Sequence, residues 1–370
     1  MRRRYRWLLV TGLTAGMLAA VGLAVRLGPA LVLFLSLALP STEAWLVPLF
    51  QGAERSEVTL AVNGRQLRAD LYRPAVPRAG LVLVHGLSPA GRRHTELMRL
   101  AGLLARQGQL VLVPQIEGLA TFRSSGHEVE EIRAALDYLA APGRPVGVAG
   151  FSFGAGPALL AAAEMPGLRL AASFGGYADL RNVIAYITTG VHSFGGRRYV
   201  QRQQEYNRWK LLALLVGFVE SGADRRLLGR LAEMRLADPS VDTGALDRDL
   251  GSEGRSVMAL VLNRREEAVD GLLAGLSPGA HAALDRLSPL RTLSRLSGRV
   301  LIAHGAADDS IPFTESLRLA AAVGVHVRVA ILHTFHHTGP RPFWRSLCER
   351  AQDGWSLLRL ADDLLADAAS

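Results

Sequence analysis

The sequence predicts an α/β protein: a doubly wound, mostly parallel sheet opened by an antiparallel hairpin and interrupted by a helical insertion. Three observations carry that expectation. Short runs of Val, Leu, Ile and Ala recur without polar interruption, as strands buried on both faces require. Segments with apolar residues at helical spacing separate them. The alternation stops near Tyr177 and resumes near Leu296, which marks an insertion between late strands.

In chain order, the first fifty residues stand apart. Trp7–Val25 is an uncharged run of about 19 residues flanked by Arg2–Arg6 and Arg26, the length a helix needs to cross a hydrocarbon core. A shorter apolar run, Leu27–Leu39, follows, with Pro29 near its start and Pro40 after it. Neither run shows a polar face, so both fit buried soluble helices poorly. A cleaved signal peptide, a single anchor and a two-pass hairpin remain open. The expectation is a membrane anchor over residues 1–50. A single bacterial inner-membrane span would place the bulk outside the cytoplasm, and a hairpin would return it to the cytoplasm.

From about residue 55 the pattern changes. Val58–Val62 and Gln66–Tyr72 flank Asn63-Gly64, a pair suited to a two-residue turn whose central residues both need positive φ. Leu81–His85 reads as the first buried strand, Arg93–Gln107 as a helix closed by Gly108, and Leu110–Pro114 as the next strand. His127–Leu139 is helical, with Val129, Ile132, Leu136 and Leu139 on one face. Pro145–Ala149 is a strand, Gly154–Glu164 an Ala-rich helix, and Leu170–Phe174 a strand. After the insertion come Arg299–Ala303 (strand), Phe313–Val323 (helix), His326–Leu332 (strand) and Pro342–Leu365 (helix).

Composition narrows the function. Of 370 residues, 49% are hydrophobic and 20% charged, with one Cys and a formal charge of +9. The apolar fraction excludes a disordered chain. A single Cys excludes a disulfide framework or a Cys-rich zinc module. The charge is divided: residues 1–50 hold five Arg against Glu43, which leaves +5 over the other 320 residues. No basic helix interleaved with aromatics occurs, so no nucleic-acid partner is expected.

The strongest chemical signal is Gly150-Phe151-Ser152-Phe153-Gly154, directly after a strand and opening a helix. So tight a strand–turn–helix junction needs small flanking residues, and it exposes the Ser hydroxyl at the carboxyl edge of the sheet. A Ser needs a base, and the base an orienting acid, from later strand ends. The strand Arg299–Ala303 runs into a turn carrying Asp308 and Asp309 before Pro312. Asp308, the first, is the expected acid, with Asp309 the alternate. One of the two is expected to serve instead as a helix cap. The last strand is followed by His333, His336 and His337. No carboxylate or Cys stands at ligand spacing there, so neither a metal nor another cofactor is expected. Consecutive residues of an extended turn point apart, so only one His faces Ser152; His333, close to the strand end, packs or caps.

Over about residues 55–365 the chain resembles the α/β-hydrolase superfamily, in particular bacterial hydrolases with an N-terminal hydrophobic anchor. The resemblance rests on His85-Gly86 after the first buried strand, Gly150–Gly154, His304–Asp308 and the terminal His cluster. It implies that the base lies in a Phe-x-His turn, which matches Phe335-His336-His337 and selects His337, with His336 the alternate. It also implies an oxyanion hole made by the backbone N–H groups of Phe153 and Leu87. In the dienelactone-hydrolase branch the nucleophile is Cys; here Ser152 stands in its place.

The expected domains are the anchor, an α/β-hydrolase core over 51–176 and 297–370, and a helical cap over 177–296. Within the cap, Leu211–Val219 is apolar almost throughout; it reads as a helix in the cap's own core or as a lid over an apolar acyl site touching the bilayer. The expected activity is a serine hydrolase acting on an ester or thioester of a small or lipid-like acyl substrate. The alternatives are an amide or peptide hydrolase of the same fold, and a non-catalytic membrane-associated binding protein.

Overall fold

Asn63 and Gly64 take φ values of +48° and +78° and join β1 (Ala53–Val62) to β2 (Arg65–Pro74) in a ten-residue antiparallel register. The computed structural model to which this hairpin belongs describes residues 22, 26–123, 126–324, 326–333, 335–336, 339–340 and 347–366. β3 (Ala79–Val84), β4 (Gln109–Pro114), β5 (Val146–Phe151) and β6 (Leu170–Phe174) follow. The insertion contributes only a small separate hairpin, β7 (Val191–Phe194) with β8 (Arg197–Val200). β9 (Arg299–Gly305) and β10 (Val327–Leu332) complete the main sheet, and β11 (Phe335–His336) pairs with β12 (Gly339–Pro340) beyond it.

The main sheet has the order β1-β2-β4-β3-β5-β6-β9-β10. β2 meets β4 antiparallel, and every pairing from β4 through β10 is parallel. β3, β4 and the first five residues of β5 are buried throughout, which is why they read as continuous apolar runs. Helices cover both faces. Ile132, Leu136 and Leu139 of Glu128–Leu139, Leu159 of Ala155–Ala163 and Leu319 of Thr314–Val323 pack on one face. Leu97, Leu103 and Leu104 of Thr95–Arg106, with Leu360 and Leu364 of Leu347–Ala366, pack on the other. The alternation of the sequence thus becomes a doubly wound sheet whose parallel strands all end on one edge.

The membrane expectation is corrected. Among the described residues no helix is long and apolar enough to cross a membrane. Trp7–Val25, apart from Gly22, lies outside the described residues. The second apolar run is not a returning span. Residues 26–38 form a helix docked on the body. Ala30, Leu33 and Ser36 are buried, and Leu33 joins the core beside Leu97 and Leu360. Gln107 donates to the Pro29 carbonyl, Arg99 donates to the Ser36 carbonyl, and Arg26 pairs with Asp362. Only its inner face is covered by the body; Leu31 and Leu37 on the outer face stay exposed. The described residues therefore give no support to a membrane anchor, a membrane partnership or a placement on either side of a bilayer.

Between β6 and β9 the chain is mainly helical and builds its own core from Val183, Leu212, Leu231, Leu260 and Leu284 among others. The helix Glu205–Val216 is buried at every position from Asn207 to Val216 except Lys210. Its missing polar face reflects burial within the insertion, not contact with a bilayer. Phe122, Phe153 and Tyr177 extend this core to the edge of the main sheet.

Candidate active site

β5 runs two residues further than the sequence pattern indicated, to Phe151, so Ser152 stands immediately beyond the strand. Ser152 has φ +52°, a region that non-Gly residues rarely occupy and that costs on the order of 1–3 kcal/mol. The helix Ala155–Ala163 follows at once. The two glycines of the motif allow this turn by close approach. A Cβ at Gly150 would strike the Ala155 backbone, and one at Gly154 would strike the His85 carbonyl. Gly86 is a third such site, since a Cβ there would lie 2.9 Å from the Ser152 Cβ. Strand, turn and helix therefore close around Ser152, which keeps partial exposure.

The loop after β3 carries Leu87, packed beside Phe153 and the insertion core. His85 holds this loop. Its Nδ1 donates to the Gly86 carbonyl at 2.8 Å, and its Nε2 accepts from the Ile116 N–H at 3.1 Å. Burial pushes the imidazole below its ordinary pKa, so it is neutral, with the proton on Nδ1. Further along, Arg92 is buried and pairs with Asp70 and Glu57, each at 2.6 Å. Its backbone N–H donates to Gln115 Oε1 at 3.1 Å. These contacts tie the Leu87 loop to the β1–β2 hairpin. Arg92 had no distinguishing sequence signal, because its partners lie 22 and 35 residues away.

Asp308 is buried at the end of β9. Its Oδ1 accepts from the N–H groups of Ser310 and Ile311 at 2.8 and 2.9 Å, which fixes the plane of the carboxylate. The Oδ2 lies 3.4 Å from His304 Nε2. It also lies 3.7 Å from where a Cβ on Gly175 would stand, at the end of β6. His304 is fully engaged in the body: Nε2 donates to the Ile311 carbonyl at 2.9 Å, and Nδ1 pairs with Ser316 Oγ at 2.7 Å. It shapes the acid turn. Asp309 turns the other way, toward the insertion, where it accepts from Gln204 and its carbonyl accepts from Asn207 Nδ2. Neither aspartate caps the helix Thr314–Val323.

Register places Ser152 and Asp308 along one edge. Phe151 is opposite Phe174, and Phe174 is opposite Ala303, so the two residues follow strands roughly 10 Å apart. His337 lies outside the described residues. His336 is the second residue of β11, opposite Gly339, with its side chain outside the described set. His333 directs its backbone N–H to Asp353 Oδ1 at 3.2 Å, with its ring 3.8 Å from the same oxygen. It joins the end of β10 to the helix Leu347–Ala366.

Sequence reasoning missed a clamp on the acid turn. Three side chains of the insertion donate to three consecutive carbonyls: Gln201 to Ala307 at 2.9 Å, Tyr186 to Asp308 at 2.6 Å and Asn207 to Asp309 at 2.8 Å. Burial pushes the Tyr186 phenol well above its ordinary pKa, which keeps it a donor. Tyr177 makes a second bridge, from the end of β6 to the Leu287 carbonyl at 3.1 Å. Beside Phe153 is a cavity of about 20 Å³ lined by Leu87, Leu119, Phe153, Tyr177, Leu214 and Leu287 among others. It is narrow, its wall is largely apolar apart from the buried Glu128, and its lining comes from both the body and the insertion.

The order of the main sheet, its one antiparallel hairpin at the β1 edge and a Ser at positive φ between β5 and its helix are the features of the α/β-hydrolase fold, and the resemblance read in the motifs holds at that level. No protein-family model and no curated protein matches the chain. Among solved structures, the esterase domain of a Rhodothermus marinus protein is similar at 16% identity and a TM-score of 0.46, over 85% of this chain and 97% of that one. A 2,6-dihydroxy-pseudo-oxynicotine hydrolase is similar at 18% and 0.48, over 88% and 71%. An acylaminoacyl peptidase from Pyrococcus horikoshii is similar at 13% and 0.49, over 88% and 42%.

Proposed function

We propose that the chain is a serine hydrolase that cleaves an ester or thioester through an acyl-enzyme. The observation that carries this reading is Ser152, held at φ +52° on the sheet edge by glycines that admit no side chain. His337 removes the Ser152 proton as the oxygen attacks the acyl carbon, and Asp308 orients the imidazole and stabilises its charged form. The N–H groups of Phe153 and Leu87 bind the oxyanion, a contribution usually among the largest in such reactions. His337 returns the proton to the leaving group, then activates water to release the acid. Residues 177–296 act as a cap over this site. The cavity beside Phe153 is only about 20 Å³, room for about one water, so the side chains around it must shift to admit an acyl group.

A fluorophosphonate probe tests the mechanism. It is expected to label the full chain at Ser152 and to leave Ser152→Ala unlabelled. p-Nitrophenyl butyrate is expected to be hydrolysed in preference to the matching p-nitroanilide. Equal labelling of the two proteins removes the assignment. Preference for the anilide converts the reading to an amide hydrolase.

A further inference from the structure

Away from Ser152, the end of the helix Glu205–Val216, the turn before residue 124 and the helix Gly222–Ala237 enclose a cleft of about 720 Å³. Its lining includes Arg123, Arg225, Arg226 and Arg230, with Glu233 as the sole carboxylate. Residues 222, 225, 226, 229, 230 and 233 share one helical face by their spacing, and Gly229 leaves room between the arginines. Arg123 pairs with Glu233 at 2.8 Å, and Arg225 donates to the Val219 carbonyl at 2.9 and 2.6 Å. Arg226 and Arg230 make no ion pair among the described residues. Both side chains are exposed and line the cleft.

An adjoining recess of about 300 Å³ shares Arg123, Val216, Gly229 and Glu233 with the cleft, and its wall is otherwise largely apolar: Phe122, Ala213, Ala232 and Leu236. Phe122 is buried with φ +59°, a conformation that bulky residues adopt only where the surroundings hold them. A cationic mouth over an apolar recess, within the volume range of small-molecule sites, is complementary to one kind of ligand. We propose that this groove binds a small anionic amphiphile: a carboxylate or phosphate head held by Arg226 and Arg230, with an apolar body in the recess under Phe122. Ala213 lines the recess and Leu214 lines the cavity beside Phe153. The two share no lining residue.

The test is calorimetric titration of the full chain with octyl phosphate, octanoate, octanol and inorganic phosphate. Both anionic amphiphiles are expected to bind, with octanol and inorganic phosphate each about tenfold weaker or more, since each lacks one half of the recognition. The double variant Arg226→Gln/Arg230→Gln alters two exposed side chains and is expected to keep its melting temperature while losing about tenfold or more in octyl phosphate affinity. Unchanged affinity in that variant overturns the proposal, as does equally tight binding of octanol or inorganic phosphate. Protein capped at Ser152 by a fluorophosphonate is expected to bind octyl phosphate as before. Loss of binding on capping would instead make the groove an extension of the acyl site and overturn its separateness. Binding is read without turnover, so failure of the hydrolase reading leaves this result interpretable.

Discussion

At the residue scale, two adjacent aspartates with the same sequence neighbourhood have different surroundings. Asp308 is held in plane by two backbone N–H groups and lies toward the end of β6. Asp309 is held by the insertion. Asp308→Asn is expected to lower kcat by about 10³–10⁴-fold, as loss of a triad acid does, while Asp309→Asn lowers it by less than about tenfold; steady-state kinetics on p-nitrophenyl butyrate decide between them. Tyr186 is a positioning residue, since it reaches Asp308 only through the backbone carbonyl. Tyr186→Phe leaves that buried carbonyl short of a donor and is expected to destabilise the chain by about 1–3 kcal/mol. It is also expected to reduce kcat while KM stays near its original value; a change in KM alone would count against positioning. The Ser152 turn was legible because glycines in a fixed pattern announce backbone that must pass close to backbone. The clamp was not, because Tyr186, Gln201 and Asn207 carry no local mark of a partner more than a hundred residues away.

At the element scale, most strands and helices formed where apolar spacing placed them, while the second apolar run has a different role from the one its composition implied. A helix without a polar face is equally compatible with lipid and with a protein surface that brings its own donors. Here Arg99 and Gln107 donate to its backbone carbonyls and the body buries Ala30, Leu33 and Ser36, while Leu31 and Leu37 stay exposed. Leu33→Ala removes a side chain from the core of the 95–106 and 347–366 helices and is expected to cost about 2–5 kcal/mol. Leu31, 42% exposed on the same helix, is expected to tolerate Ala with a change within about 0.5 kcal/mol. Urea midpoints measure both, and equal effects would show that the helix does not dock through Leu33. The β7–β8 hairpin gives a pH prediction. His192 stacks on Tyr199 and meets Tyr186 and Phe313 edge-on, and burial lowers its pKa to about 4. The unfolded chain takes up this proton near pH 6.5 and the folded chain resists it until about pH 4. Stability from this group is therefore complete above about pH 6.5 and is lost as pH falls toward 4. His192→Gln is expected to show a smaller drop in urea midpoint between pH 7 and pH 5 than the parent chain.

At the scale of the whole molecule, the insertion is built into the turn that follows β9. It supplies three hydrogen bonds to the acid turn, a wall of the Phe153 cavity and most of the arginine cleft. Its removal would leave the turn carrying Asp308 without its outer support, so body and insertion are expected to work as one unit. The sequence by itself determined the order of strands and helices, the hairpin turn at Asn63-Gly64 and the Ser152 junction. Each depends on spacing, apolar continuity or glycine placement within a few residues. Only the tertiary structure decided which aspartate enters the body, where the 26–38 helix rests and what the insertion holds. Those outcomes depend on partners distant along the chain, and a hydrogen bond or a buried face has no sequence signature until the fold brings its two halves together.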